Sequence, residues 1–409
     1  MRSLRFAALA LSLASLLACS SSGSTADTAP SPAKGGASAA AGGASSAGAS
    51  AATGGTTAAT GGAPTTTGPG GSGPATGGAV GTGASGGGPG GGSAGTASGG
   101  TSAGGSGPPA GGTYSSAVSI VVEPGDGGSA LLAAIAAAKT SIHVTMYLFS
   151  SSPMQQALLN AHKAGIEVKV ILQKTFPTGG ASNQQAYALL TKMGIQVAWA
   201  STAFTLTHEK CVIIDASSAW IMTMNLTNSS PMDNREYLAL DTDADDVAEA
   251  EAIFGADFAG TPAPVSGKLL VAPVNARDRL LALIKTAKTS IDVEAEEFSD
   301  YMIGDALDAA ADAGVKVRIV LPSGPGSASQ VKSIMVMKQH GVAVVGLASP
   351  YVHAKAIVVD GARAYVGSEN FTTGSLQYNR ELGLVTDTAA AVATIAKTIA
   401  SDFANGAPM

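Results

Sequence analysis

The feature that most constrains this chain is a sentence written twice. Residues 207–236 read THEKCVIIDASSAWIMTMNLTNSSPMDNRE, and residues 351–381 read YVHAKAIVVDGARAYVGSENFTTGSLQYNRE. In both, a His is followed by Lys at +2, Asp at +7, Asn at +17 and Glu at +28. The flanks repeat as well: AKTSI occurs at residues 138–142 and again at 287–291, and AGIEVKV at 164–170 is matched by AGVKVRI at 313–319. The repeat is therefore about 145 residues long, far beyond a solenoid period, and implies a duplicated α/β unit. The join falls at the Pro-rich GTPAP, residues 260–264. This gives two domains, residues 114–262 and 263–409, each large enough for its own core.

The rest of the chain is organised around that pair. Residues 1–19 read as a targeting segment, with Arg2 and Arg5 before an apolar run too short to span a membrane. LLAC at 16–19 resembles a bacterial lipobox, which implies lipidation of Cys19; Ser20 after it implies outer-membrane sorting. The alternative is an ordinary secretory signal. Residues 20–113 are Gly, Ala, Ser and Thr with few charges. Such a stretch cannot bury enough surface to offset its ordering entropy, and it is expected to be a disordered tether of roughly 50–60 Å. From residue 114 on, 28 Asp and Glu face 20 Lys and Arg, which argues against a nucleic-acid partner.

Within each unit, strand-like runs alternate with helical ones. Strands are expected near 119–124, 141–149, 167–172, 196–200, 220–224 and 237–242, and helices over 129–140, 152–164 (capped by Ser152), 184–193 and 244–258. Four apolar residues follow each HxK, so the His and Lys are placed on a strand. Residues two apart on a strand share a face, so His208 and Lys210 project together, as do His353 and Lys355. Two such faces meeting about a pseudo-two-fold axis would give a pocket of two His, two Lys and two Asn, a set suited to a tetrahedral anion.

Phosphate-ester chemistry needs these groups. A neutral imidazole can attack phosphorus, and a second His can protonate the leaving oxygen. Lys210, Lys355, Asn225 and Asn370 can stabilise the non-bridging oxygens. Glu236 and Glu381 suit the task of fixing each His tautomer. No metal and no cofactor is expected. His143, His162 and His340 show no ligand spacing, Cys211 reads as an apolar filler, and the acidic run 241–251 as the charged first turn of a helix. Glu294, Glu296 and Glu297 cluster beside the second core strand without a role the sequence assigns.

HxKx4Dx6GSxN in two copies resembles the phospholipase D superfamily, over the whole of residues 114–403. The second motif matches in full: His353, Lys355, Asp360, Gly367, Ser368 and Asn370. The first keeps His208, Lys210, Asp215 and Asn225 but carries Met222 and Thr223 in place of Gly-Ser, so bulk is expected near that half-site. The resemblance implies a duplicated α/β fold of two mixed sheets flanked by helices. It implies a metal-independent phosphodiesterase working through a phosphohistidine, with His208 as nucleophile, His353 as acid, and Asp215 and Asp360 structural. The expected substrate is a phospholipid, reached from a lipid anchor in the cell envelope. A monomer suffices, because both half-sites lie in one chain. A secreted nuclease of this fold and an inactive, surface-tethered binding protein are the alternatives.

Overall fold

The computed structural model describes residues 114–177, 182–324 and 326–409. The expected signal segment, Cys19 and the tether lie outside them. The first half runs β1 (Val118–Glu123), α1 (Ser129–Ala137), β2 (Ser141–Met146), α2 (Ser152–Lys163), β3 (Glu167–Leu172), α3 (Gln184–Lys192), β4 (Gln196–Trp199), β5 (Lys210–Ile214), β6 (Ser218–Met222), α4 (Ser230–Asp233), β7 (Asn234–Asp241) and α5 (Ala244–Ala259). The second half runs β8 (Leu270–Ala272), α6 (Ala276–Lys285), β9 (Ser290–Ala295), α7 (Tyr301–Asp312), β10 (Lys316–Pro322), α8 (Ala328–Gln339), β11 (Ala343–Leu347), β12 (Tyr351–Val352), β13 (Lys355–Val359), β14 (Arg363–Gly367), α9 (Thr373–Tyr378), β15 (Glu381–Thr386), α10 (Ala389–Asn405) and β16 (Ala407–Pro408).

Each half builds one mixed sheet, in the orders β1-β7-β6-β5-β2-β3-β4 and β16-β11-β10-β9-β13-β14-β15-β8. Parallel pairing joins β2, β3 and β4, and likewise β9, β10 and β11, where helices make the crossovers. The motif strands β5 and β13 pair antiparallel with β2 and β9. α1, α2 and α3 end one to three residues before the expected C-termini, α5 one residue beyond, and α2 is capped by Ser151 rather than Ser152. The Ser151 hydroxyl accepts from the Met154 N–H at 3.4 Å, with Pro153 in the first turn, where its missing N–H costs nothing.

Along the bodies of the motif strands the two halves meet across the face opposite His and Lys; the expected approach of the His/Lys faces is confined to the strand ends, where each His reaches the Glu of the other half. Cys211 and Ile213 of β5 join Ala356 and Val358 of β13, with Ile221, Phe254, Val366 and Ile395, in one apolar cluster drawn from both halves. Val212 and Ile214 turn instead into the first half's own cluster, and Ile357 and Val359 into the second's. Alternation along a strand forces this split. The physical reason is plain: a wide packing interface needs an uninterrupted apolar face, and only the odd face of β5 offers one, since Lys210 opens the even one. Cys211 is thus a filler of the shared core.

The acidic run is not merely a solvated first turn. Asp243 caps α5, accepting from the N–H of Asp245 and Asp246. Glu249, however, is buried and accepts the four backbone N–H groups of residues 266–269, which pins the crossover between the halves.

Candidate active site

The catalytic candidates stand where the chain leaves one sheet for the other. His208 and His353 lie just outside β5 and β13, not on them; Lys210 and Lys355 are the first strand residues. The reason is a change of partner. β2 ends opposite Lys210, and upstream of it the backbone pairs with the other half. Thr207 bridges Arg380, and the His208 N–H donates to the Arg380 carbonyl at 2.9 Å. Reciprocally, β12 pairs with β7, and the His353 N–H donates to the Arg235 carbonyl at 3.2 Å. Each His therefore arrives beside the Glu of the opposite copy.

That pairing is the core of the site. His208 Nδ1 lies 2.9 Å from Glu381 Oε2, and His353 Nδ1 lies 2.8 Å from Glu236 Oε1, each bond crossing between halves. Both carboxylates are fully buried. Thr223 Oγ1 donates to Glu236 at 2.6 Å and Ser368 Oγ to Glu381 at 2.7 Å, so Thr does replace the Ser hydroxyl. Burial would raise the Glu381 carboxyl, but His208, Lys210 and the Ser375 hydroxyl outweigh it and hold it below the usual range. An ionised Glu381 accepts only, so the His208 proton sits on Nδ1 and the Nε2 lone pair is free. Burial pulls the His208 imidazole below its ordinary value, with Glu381 opposing.

The cations and amides complete the arrangement. Lys210 Nζ donates to the His208 carbonyl at 2.5 Å, and Lys355 Nζ to the His353 carbonyl at 2.6 Å. Burial brings Lys210 down to about 7, against the pull of Glu381. Asn225 and Asn370 are nearly buried, and Oδ1 of each has no hydrogen-bond partner among the described residues. An amide oxygen only accepts, so in each Asn the Nδ2 amine is the group that could donate to an anion.

Asp215 and Asp360 stand at the far ends of β5 and β13. Both take left-handed backbone, φ 56° and 54°, which Asp tolerates at a tight turn. Asp215 accepts the N–H groups of residues 139–141, and Asp360 those of residues 288–290. These bonds overcome burial and hold Asp360 down to about 2. They fasten the motif hairpins to the core strands and stand apart from the imidazoles.

Met222 does not crowd the site. It is fully buried in the first half's own apolar cluster with Trp220, Met224 and Leu238. The counterpart Gly367 has no room for a Cβ, which would meet Glu369 Oε2, the Gly383 Cα at 2.6 Å and the Tyr365 hydroxyl at 2.7 Å.

Sequence reasoning missed Tyr147 at the site and singled out Glu296 without giving it a role. Tyr147 sets its ring edge-on to His208, centroids 4.5 Å apart, and under Lys210 at 5.1 Å. Glu296 places Oε2 2.7 Å from Lys355 Nζ and 3.4 Å from His353 Nε2. The 149-residue offset aligns these two with each other, and that alignment was the signal available. Outside the site, His143 stacks on Phe254 between Glu251 and Glu167, and His340 pairs with Asp312 at the end of α8. Glu294 is buried against the Tyr237 hydroxyl at 2.6 Å.

Comparison with known proteins agrees with this geometry. The family model described as "Cardiolipin synthase, PLD-like domain" matches twice, at residues 131–258 and 280–405. Among curated relatives, the mitochondrial cardiolipin hydrolase of Xenopus tropicalis is 35% identical over 28% of this chain and 54% of its own length. The probable cardiolipin synthase YwiE of Bacillus subtilis (strain 168) is 22% identical over 63% of this chain and 60% of its own. The chain spans about half the length of the curated relatives it matches. The solved phosphatidylserine synthase of Haemophilus influenzae Rd KW20 superposes with a TM-score of 0.56 at 11% identity, covering 71% of this chain and 87% of that one, a likeness of fold. With the family model matched in both halves and over more than half of the sequence, the chain belongs to the phospholipase D superfamily.

Proposed function

We propose that the chain is a metal-independent phosphodiesterase of the phospholipase D type that acts on phospholipids. The observation that carries the reading is the pair of imidazoles, each held at Nδ1 by a carboxylate of the other half. His208 Nε2 attacks phosphorus and forms a P–N bond as the P–O bond to the head group breaks. His353 gives its Nε2 proton to the departing oxygen. Water then attacks phosphorus, returning a proton to His353; the P–N bond breaks and the phosphate monoester leaves. Lys210, Lys355, Asn225 and Asn370 hold the non-bridging oxygens, and an alcohol in place of water makes the step a phosphatidyl transfer. Glu236, Glu381, Thr223 and Ser368 keep the imidazoles aimed.

The relatives named for cardiolipin synthesis and hydrolysis favour a lipid over other diesters. So does the acidic balance of the folded part, since a nuclease of this fold needs a basic groove. Lipidation at Cys19 would hold the enzyme at a membrane of the cell envelope, as a monomer carrying both half-sites. Incorporation of labelled fatty acid should vanish in Cys19→Ala; equal labelling would refute the anchor.

The test of function is release of head group from phosphatidylethanolamine in EDTA, run beside single- and double-stranded DNA. Lipid turnover is expected, with His208→Ala and His353→Ala each lowering it by several orders of magnitude. Turnover of DNA alone, or near-normal rates in either variant, would sink the reading.

A further inference from the structure

Among the described residues, a carboxylate stands against each nitrogen of His353, whereas Glu381 alone is hydrogen-bonded to the His208 ring. Glu236 accepts from Nδ1 of His353 at 2.8 Å, and Glu296 faces Nε2 at 3.4 Å. The equivalent position in the first half is Tyr147, an aromatic edge that takes no proton. The Nε2 contact is an ion-pair distance rather than a hydrogen bond, and a carboxylate against each nitrogen favours the ring that carries both protons. The surroundings of His353 are therefore complementary to imidazolium, and those of His208 to a neutral ring with a free Nε2.

Other charges near His353 do not undo this. Burial acts to raise the Glu296 carboxyl, but His353 and Lys355 outweigh it and hold it well below the usual carboxylate range. Glu297, which lines a cleft with Glu296 and Tyr351, is a further acid, raised from its ordinary value first by burial and then by Glu296. The Tyr351 phenol is pushed up to about 12, first by burial and then by Glu296 and Glu297, and stays neutral. Lys355 is bound to Glu296 itself, while Lys210 sits over the Tyr147 ring beside His208.

We infer that Glu296 is a positioning residue that holds the proton on His353 Nε2, and so makes the second half the one that protonates the leaving oxygen. The inference rests on the phosphodiesterase reading above. In the cleavage step the leaving oxygen takes over the Nε2 proton as its bond to phosphorus breaks, while Glu296 stays on Lys355. Its charge also opposes an incoming phosphate, so the carboxylate costs affinity while it supports proton transfer.

The test compares full-length wild type, Glu296→Gln and Glu296→Asp on two lipids that differ only in the leaving group. Phosphatidylethanolamine loses an alkoxide that needs a proton; phosphatidyl-p-nitrophenol loses a phenolate that does not. Glu296→Gln should lower kcat on the first by about 10²-fold and on the second by less than about threefold, lower KM for both, and be partly rescued by Asp. Equal losses on both lipids would mean a merely structural role and overturn the inference. A second readout needs no turnover: imidazole ¹H–¹⁵N spectra should show the His353 Nε2 proton retained to higher pH in the wild type than in Glu296→Gln. Unchanged spectra overturn it. If neither lipid is cleaved but the spectra change as expected, the role of Glu296 stands and the phosphodiesterase reading falls.

Discussion

The two halves carry the same catalytic sentence over different foundations. Behind the second half-site lies a polar plug: Glu369, buried and pushed up to about 8 by burial and then by Glu381, shares a 2.6 Å hydrogen bond with the Tyr365 hydroxyl. This plug leaves room only for glycine at 367 and 383. Behind the first half-site the same positions are Met222, Met224, Trp220 and Leu238, an apolar plug of the same place and different chemistry. The lesson is that the Gly-Ser of the second motif and the Met-Thr of the first answer to what lies behind the turn. What holds the carboxylate behind each imidazole, the hydroxyl at 223 or 368, is retained in both.

The largest effect that could break this comparison is at the cross-half carboxylates. Glu381→Gln should lower kcat by on the order of 10³-fold, because among the described residues it is the one carboxylate hydrogen-bonded to His208 and it sets its tautomer. Glu236→Gln should cost about tenfold less, because His353 keeps Glu296. Steady-state kinetics giving the reverse order would contradict the inequality of the halves.

The next effect is on stability. Met222→Gly should destabilise by about 2–5 kcal/mol, through the cavity left in the first half's core, while the folded fraction keeps its turnover. Gly367→Ala should destabilise by about 1–3 kcal/mol or more, since the added carbon overlaps Glu369 and Gly383. Denaturant melts decide both; a Met222→Gly protein as stable as wild type would dissolve the apolar plug.

The smallest effect is the pH profile. The lowered His208 keeps its free base as pH falls below 6.5, so the acid limb of kcat/KM should lie below that value. Lys210, brought down to about 7, loses its charge as pH rises through that point, so KM should climb on the alkaline side. An acid limb above 6.5 would show that burial does not govern His208.

By itself the sequence determined the duplication and the α/β class, and it proposed His208, Lys210, Asn225, His353, Lys355 and Asn370 as one site. Offsets between copies survive any uncertainty about where strands begin, which is why these residues were legible. The carboxylates were legible as a pair, but not their exchange. Only the tertiary structure decided that Glu381 serves His208 and Glu236 serves His353, because that choice depends on how the two sheets meet. It also decided that Met222 points into the core and that Glu296 reaches the site. Side-chain direction at the end of a strand is set by the neighbouring half, and no local pattern records it. The two copies of HxK thus named the parts of the centre, and the packing of one half on the other made them unequal.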